Sequence, residues 1–154
     1  MVSLIAGAVI GLEREWKNKP AGVRTYALVS EGSALFMIAS LLLNAEVSAA
    51  GGFSDPSRIA STVVQGVGFI AGGVIFTQRA RVTGLTTAAG LWVAAAVGLA
   101  AGAGFYILAL IGVVTSLFAL VPMRWFEQEL IRNDGGKQLQ VEEAGSVTDE
   151  ASRS

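Results

Sequence analysis

Apolar runs alternate with short charged stretches over the first 125 residues, and all but the first run are long enough for at least one membrane crossing. The most informative run lies between Ser54 and Phe76. After Arg58 no charge appears until Arg79, so a helix over about 59–77 is long enough to cross a hydrocarbon core of roughly 30 Å. Asp55 is placed to cap it, and Pro56 suits the first helical position, where a missing N–H costs nothing. Its two stripes differ. Counting by three and four from Arg58 gives Ser61, Gln65, Gly68 and Gly72, while the opposite stripe is Ile59, Val63, Val67, Ile70 and Val74. Lipid accepts the branched stripe. The small and polar stripe therefore predicts close approach of another helix, Gln65 bonding across the contact, and a central place for this helix in a bundle.

The other runs follow in order. Residues 1–12 are apolar but reach only about 18 Å as a helix, so the expectation is the back half of a first span that begins upstream of Met1. Gly7 and Gly11 carry the four-residue spacing that brings helices together. Glu13 to Arg24 reads as a charged loop, broken at Lys19-Pro20-Ala21-Gly22, with Trp16 at the membrane interface. A second span over about 25–44 contains Glu31, the one charge embedded in an apolar run. A carboxylate at that depth must face the bundle, a cavity or a basic partner, or be protonated. The uncharged stretch from Val82 to Met123 holds two more spans, about 85–101 and 105–121, separated near Gly102-Ala103-Gly104. The first of these repeats small residues at Gly90, Ala94, Gly98 and Gly102, a second packing face, with Thr86 and Thr87 placed to cap its start.

The fold expected is thus all-α, a polytopic transmembrane helical bundle of about five spans over residues 1–125 with the first truncated, followed by a polar, disordered cytoplasmic tail over 126–154. Composition changes this little: 53% of the 154 residues are hydrophobic, 15% are charged, and 19 glycines suit close helix packing. Charge placement adds orientation. Arg14 to Arg24, Arg79 with Arg81, and Arg124 fall on one side and only Arg58 on the other, so the N-terminus is expected outside and the C-terminus inside. Asp55 is expected to pair with Arg58.

Candidate chemistry is sparse. Cysteine and histidine are absent, which removes disulfides, thiolate nucleophiles, histidine triads and the usual zinc sites, and no nucleophile and base share one plausible site. The chain is not expected to be an enzyme or to hold a cofactor. Gly66, Gly68 and Ala71 match a dinucleotide-binding spacing, but that loop must follow a strand and open a helix. Inside a membrane-length run they read as packing residues.

Gly-Leu-Glu-Arg-Glu-Trp at 11–16, Lys-Pro-Ala-Gly-Val-Arg-Thr at 19–25, Asp-Pro-Ser-Arg-Ile-Ala at 55–60, Gly-Val-Gly-Phe-Ile-Ala-Gly-Gly-Val-Ile at 66–75 and Gly-Leu-Thr-Thr-Ala-Ala-Gly-Leu-Trp at 84–92 resemble the MgtC/SapB family of bacterial inner-membrane proteins. The resemblance runs from Gly7 to about Tyr106. It implies a multi-pass inner-membrane protein linked to adaptation to low magnesium and, in pathogens, to survival inside host cells. For the best-known members it implies inhibition of the proton-translocating ATP synthase.

Two functions are weighed on this basis. The first is a regulator in the lipid bilayer that packs a glycine-faced helix against another membrane protein, with the ATP synthase membrane sector as the family-implied partner, or against a second copy of itself. The second is a magnesium or proton transporter with a path near Glu31 and Gln65. Nucleic acid is not an expected partner.

Overall fold

The structure is a computed structural model that describes residues 1–78 and 81–121. Arg79, Arg124 and the tail over 126–154 lie outside the described residues. Five helices and one hairpin follow one another: α1 Val2–Trp16, α2 Val23–Ala49, α3 Ser57–Gly72, β1 Phe76–Gln78, β2 Arg81–Thr83, α4 Leu85–Gly102 and α5 Tyr106–Leu120. The chain divides into two compact units, Met1–Leu117 and Phe118–Ser154, and the architecture below is that of the first.

Helices α2 and α4, at 27 and 18 residues, are long and apolar enough to cross a membrane. The surface says the same from outside. Leu28, Leu35, Phe36, Leu42, Phe69, Trp92, Ile107 and Leu110 are exposed, while the interior holds alanines, glycines and serines. A water-soluble protein reverses that arrangement, because contiguous exposed apolar surface drives association. Lipid does not penalise it, and small interior residues let helix backbones approach.

Helix α2 is the centre. It packs most extensively on α4 and α1 and more lightly on α3. Glycines mark each close crossing. A Cβ on Gly7 would stand 2.7 Å from Ser30 Cβ, one on Gly11 2.7 Å from Val23 Cα, and one on Gly102 2.9 Å from Ala34 Cα. On α4, a Cβ on Gly98 would run into the Ser30 carbonyl group and one on Gly90 into the Tyr26 ring. Ala94, between them, is fully buried.

Helix α3 corrects the sequence reading. Val67 and Ala71 are its buried residues, while Ser61, Gln65, Gly68 and Gly72 are exposed. A Cβ on Gly68 or Gly72 would meet nothing within 4 Å. Val67 and Ala71 carry the side chains that fill the contact with the bundle, where glycines turned inward would leave it empty. The central helix is α2, not α3.

Three boundaries also differ from expectation. Helix α1 continues through Glu13 to Trp16 instead of stopping before the charges, and α2 runs five residues past Asn44. The segment assigned to the end of the third span leaves the helix after Gly72 and pairs Phe76 with Thr83 and Thr77 with Val82 in an antiparallel hairpin. Gly84 closes that hairpin onto α4 at φ +88°, in the left-handed region, where any side chain would strike the Val74 carbonyl. Thr86 and Thr87 make no capping hydrogen bond to α4.

Candidate functional site

At the Trp16 end of α1 the helix turns a charged pair into the bundle. Gly7, Ile10 and Arg14 recur at three- and four-residue spacing on its buried face, and Glu13 lies beside them. Arg14 is 2% exposed and Glu13 8%. The Arg14 guanidinium donates from Nε to Glu13 Oε2 and also places Nη2 against that oxygen. Glu13 Oε1 is left buried with no hydrogen-bond partner among the described residues. Two buried charges in low-dielectric surroundings persist only as a pair, so neither is an ordinary interfacial residue.

Tyr26 of α2 is fully buried against α1, where a Cβ on Gly11 would stand 3.0 Å from Tyr26 Cβ, and its hydroxyl reaches α4. That hydroxyl donates to the Thr87 carbonyl of α4 at 3.1 Å, and Thr87 is itself 2% exposed. One turn further along α2, Ser30 is fully buried and its Oγ has no hydrogen-bond partner among the described residues. Glu15, on the outer side of α1, accepts a hydrogen bond from Val23 N at 2.7 Å and so caps α2.

Glu31 stands elsewhere. It is half-buried, accepts a hydrogen bond from Ser3 Oγ, and lies 3.7 Å from the Met1 amino group. Gln65 projects from the outward face of α3. Glu31 thus faces α1, while Gln65 faces away from the bundle on α3. Asp55 Oδ1 accepts from Ser57 N at 2.9 Å, which satisfies one open donor at the start of α3. Its carboxyl is held below the usual aspartate value, first by the Ser57 hydrogen bonds and then by the Arg58 charge. The ion pairs formed among the described residues are Arg14–Glu13 and Met1–Glu31, so Asp55 and Arg58 attract without the direct pairing expected. No three acidic side chains gather to hold a metal ion among the described residues.

Several of the sequence segments that carry the family resemblance meet where α1, α2 and α4 cross. Residues 11–16 supply Glu13, Arg14 and Glu15, 19–25 supply the Gly22–Val23 start of α2, and 84–92 supply Thr87 and Gly90. The 66–75 segment reaches the same part of the chain through Val74 beneath Gly84. The 55–60 segment begins α3 instead.

The MgtC family model matches residues 1–129. The chain belongs to the MgtC family. Among its relatives, an uncharacterized protein of Synechocystis is 42% identical over 123 residues, covering 80% of this chain and 50% of its own length. YhiD of Escherichia coli K12, whose name proposes a magnesium transporter, is 40% identical over 149 residues, covering 96% of this chain and 69% of that protein. Protein MgtC of Salmonella typhimurium is 34% identical over 130 residues, covering 84% of this chain and 53% of that protein. This MgtC-family chain thus spans about half the length of two of these relatives. No solved structure matches it.

Sequence reasoning missed the interior places of Glu13, Arg14 and Tyr26. The signal was there for Arg14. Continuing the Gly7–Gly11 face by one more turn reaches Arg14, but a charge in sequence reads as the end of a buried helix.

Proposed function

We propose that this MgtC-family membrane protein serves adaptation to low magnesium as a regulator, docking in the bilayer against another membrane protein. The ATP synthase membrane sector is the partner that the family suggests. The supporting observation is the division of glycine faces. Those of α1 and α4 are used up inside the bundle, whereas Gly68 and Gly72 on α3 lie open beside Gln65. An amide flanked by open backbone suits a helix that offers both close contact and a hydrogen bond. We place the chain in the bacterial inner membrane with its basic turns inside, following the lopsided arginines. We also read it as non-enzymatic.

The test is to place leucine at Gly68 and Gly72, and separately at Gly98. Capture of the ATP synthase sector after detergent extraction, and ATP-driven proton pumping in inverted vesicles, are then measured. Loss of capture in the α3 variants with the fold intact supports the reading. Unchanged capture and pumping overturn it.

A transport reading draws on the name of YhiD. Its path would run near Glu31, which faces α1, and Gln65 on the outward face of α3. Ion flux into proteoliposomes, compared between the native chain and Glu31→Gln, separates the two functions.

A further inference from the structure

We propose that the turn between α1 and α2 holds the headgroup of an anionic phospholipid, with the phosphate against Lys17 and Lys19 and an acyl chain lying along the exposed stripe of α1. The inference rests on the membrane reading of the chain and is independent of the docking and transport readings. It starts from cations left unanswered. Lys17, Lys19 and Arg24 are exposed, and none of them forms an ion pair among the described residues. The other charges of this segment are already engaged. Glu13 and Arg14 face inward as a pair, and the exposed Glu15 accepts the Val23 N–H at 2.7 Å. Three exposed cations thus share the turn with one exposed carboxylate, and the surface is positive.

The backbone fixes where that charge sits. Lys17 N donates to the Glu13 carbonyl at 3.2 Å, Asn18 N to the Glu15 carbonyl at 3.0 Å and Lys19 N to the Arg14 carbonyl at 3.0 Å. Asn18 takes φ +50°, a left-handed conformation that asparagine tolerates better than most residues. Both lysines are thereby held against the end of α1, while their long side chains leave the ammonium groups free to reach a headgroup.

A separate observation places the apolar half of the ligand. Ile5, Leu12 and Trp16 are exposed, and their seven- and four-residue spacing sets them on one stripe of α1. Trp16 is 90% exposed and directly precedes Lys17, which puts its ring at the level where aromatic side chains mark a membrane interface. A lipid-facing stripe that runs into two lysines matches an amphiphile with a negative head. Each lysine near an anionic leaflet favours binding by about five-fold. An acidic protein surface would answer the same lysines but has no use for the apolar stripe beneath them.

Quenching of tryptophan fluorescence by brominated lipid, on the full chain in liposomes, tests this. Trp92→Phe with Trp125→Phe leaves Trp16 as the reporter. The vesicles contain phosphatidylglycerol and phosphatidylcholine in equal parts, with the bromine on one lipid or on the other. Brominated phosphatidylglycerol is expected to quench Trp16 more strongly than brominated phosphatidylcholine. Lys17→Gln and Lys19→Gln should each weaken that preference, by up to about five-fold, and together remove it. Lys17→Arg with Lys19→Arg should retain it, and raised salt should weaken it. A companion protein that keeps only Trp92, half-exposed on α4, should not respond to the lysine changes. Equal quenching of Trp16 by the two lipids, the result an acidic protein partner would give, overturns the proposal. So does a preference that survives the double glutamine variant.

Discussion

The Tyr26 hydroxyl donates to the Thr87 carbonyl at 3.1 Å, joining two helices whose bonded residues are 61 positions apart in sequence. It does so where a Cβ on Gly90 would stand 3.2 Å from the Tyr26 ring. The glycine makes room for the ring, and the ring delivers the hydroxyl to the next turn of α4. Packing and hydrogen bonding at this crossing are one feature.

Removing only the hydroxyl isolates the second half of that feature. Tyr26→Phe is expected to cost about 0.6–1 kcal/mol, the range for a hydrogen bond within a membrane protein. Gly90→Ala pushes the ring off its seat and is expected to cost more, about 1–3 kcal/mol. Thermal unfolding of each purified variant in one detergent gives the order, and a Gly90→Ala protein as stable as the native chain would refute this account of the crossing.

The glycine faces separate folding from docking. Gly98→Leu forces a side chain against the Ser30 main chain, which has no way to yield, so loss of a monodisperse species in detergent is expected. Gly68→Leu and Gly72→Leu meet open space and are expected to leave the elution profile and thermal midpoint unchanged. Size-exclusion chromatography reads the contrast directly.

These two glycine sets also mark how far the sequence could be read. A four-residue glycine spacing states that a backbone can be approached, and on α1 and α4 a neighbour does approach it. On α3 the same signal was legible but its direction was not, because which stripe fills the contact is a property of the assembled bundle. The Phe76–Thr83 hairpin has strands of three residues, too short for an alternating pattern to declare itself. Glu13 and Arg14 look like the end of a span because hydropathy scores each charge alone, whereas the bundle takes in the pair. The break after Gly102 was legible, since it rests on local glycine chemistry, whereas the start of α4 was expected from threonine caps that do not form and is set instead by Gly84.

Glu15 links the end of α1 to the start of α2. Its Oε2 accepts the Val23 N–H at 2.7 Å, and a Cβ on Gly22 would stand 3.0 Å from its carboxyl carbon. Glu15→Ala is expected to cost about 1 kcal/mol, as the loss of an N-cap does. Gly22→Ala displaces the carboxylate and should reproduce much of that loss. Amide hydrogen exchange over residues 23–26 checks both, with faster exchange expected in each variant.

Asp55 gives a pH dependence whose sign follows from its hydrogen bonds. The Ser57 donors favour the charged form and hold its folded pKa below the unfolded value. The stabilisation is therefore present above the unfolded pKa and is lost as pH falls through the folded one. A thermal midpoint measured against pH should fall on the acid side in the native chain, and this part of the fall should vanish in Asp55→Asn. The carboxyl is fully exposed, so the change is a small one.

The Glu13–Arg14 pair sets the largest expected effect. Replacing Arg14 with Gln removes the partner of a carboxylate that is 8% exposed, and breaking a buried pair in this way costs about 3–5 kcal/mol. Replacing both partners by uncharged groups of similar volume, as in Glu13→Gln with Arg14→Met, removes the buried charge altogether and is expected to recover most of that loss. The double variant must therefore be more stable than Arg14→Gln alone. The reverse order in thermal unfolding would mean that the pair is not closed within the bundle.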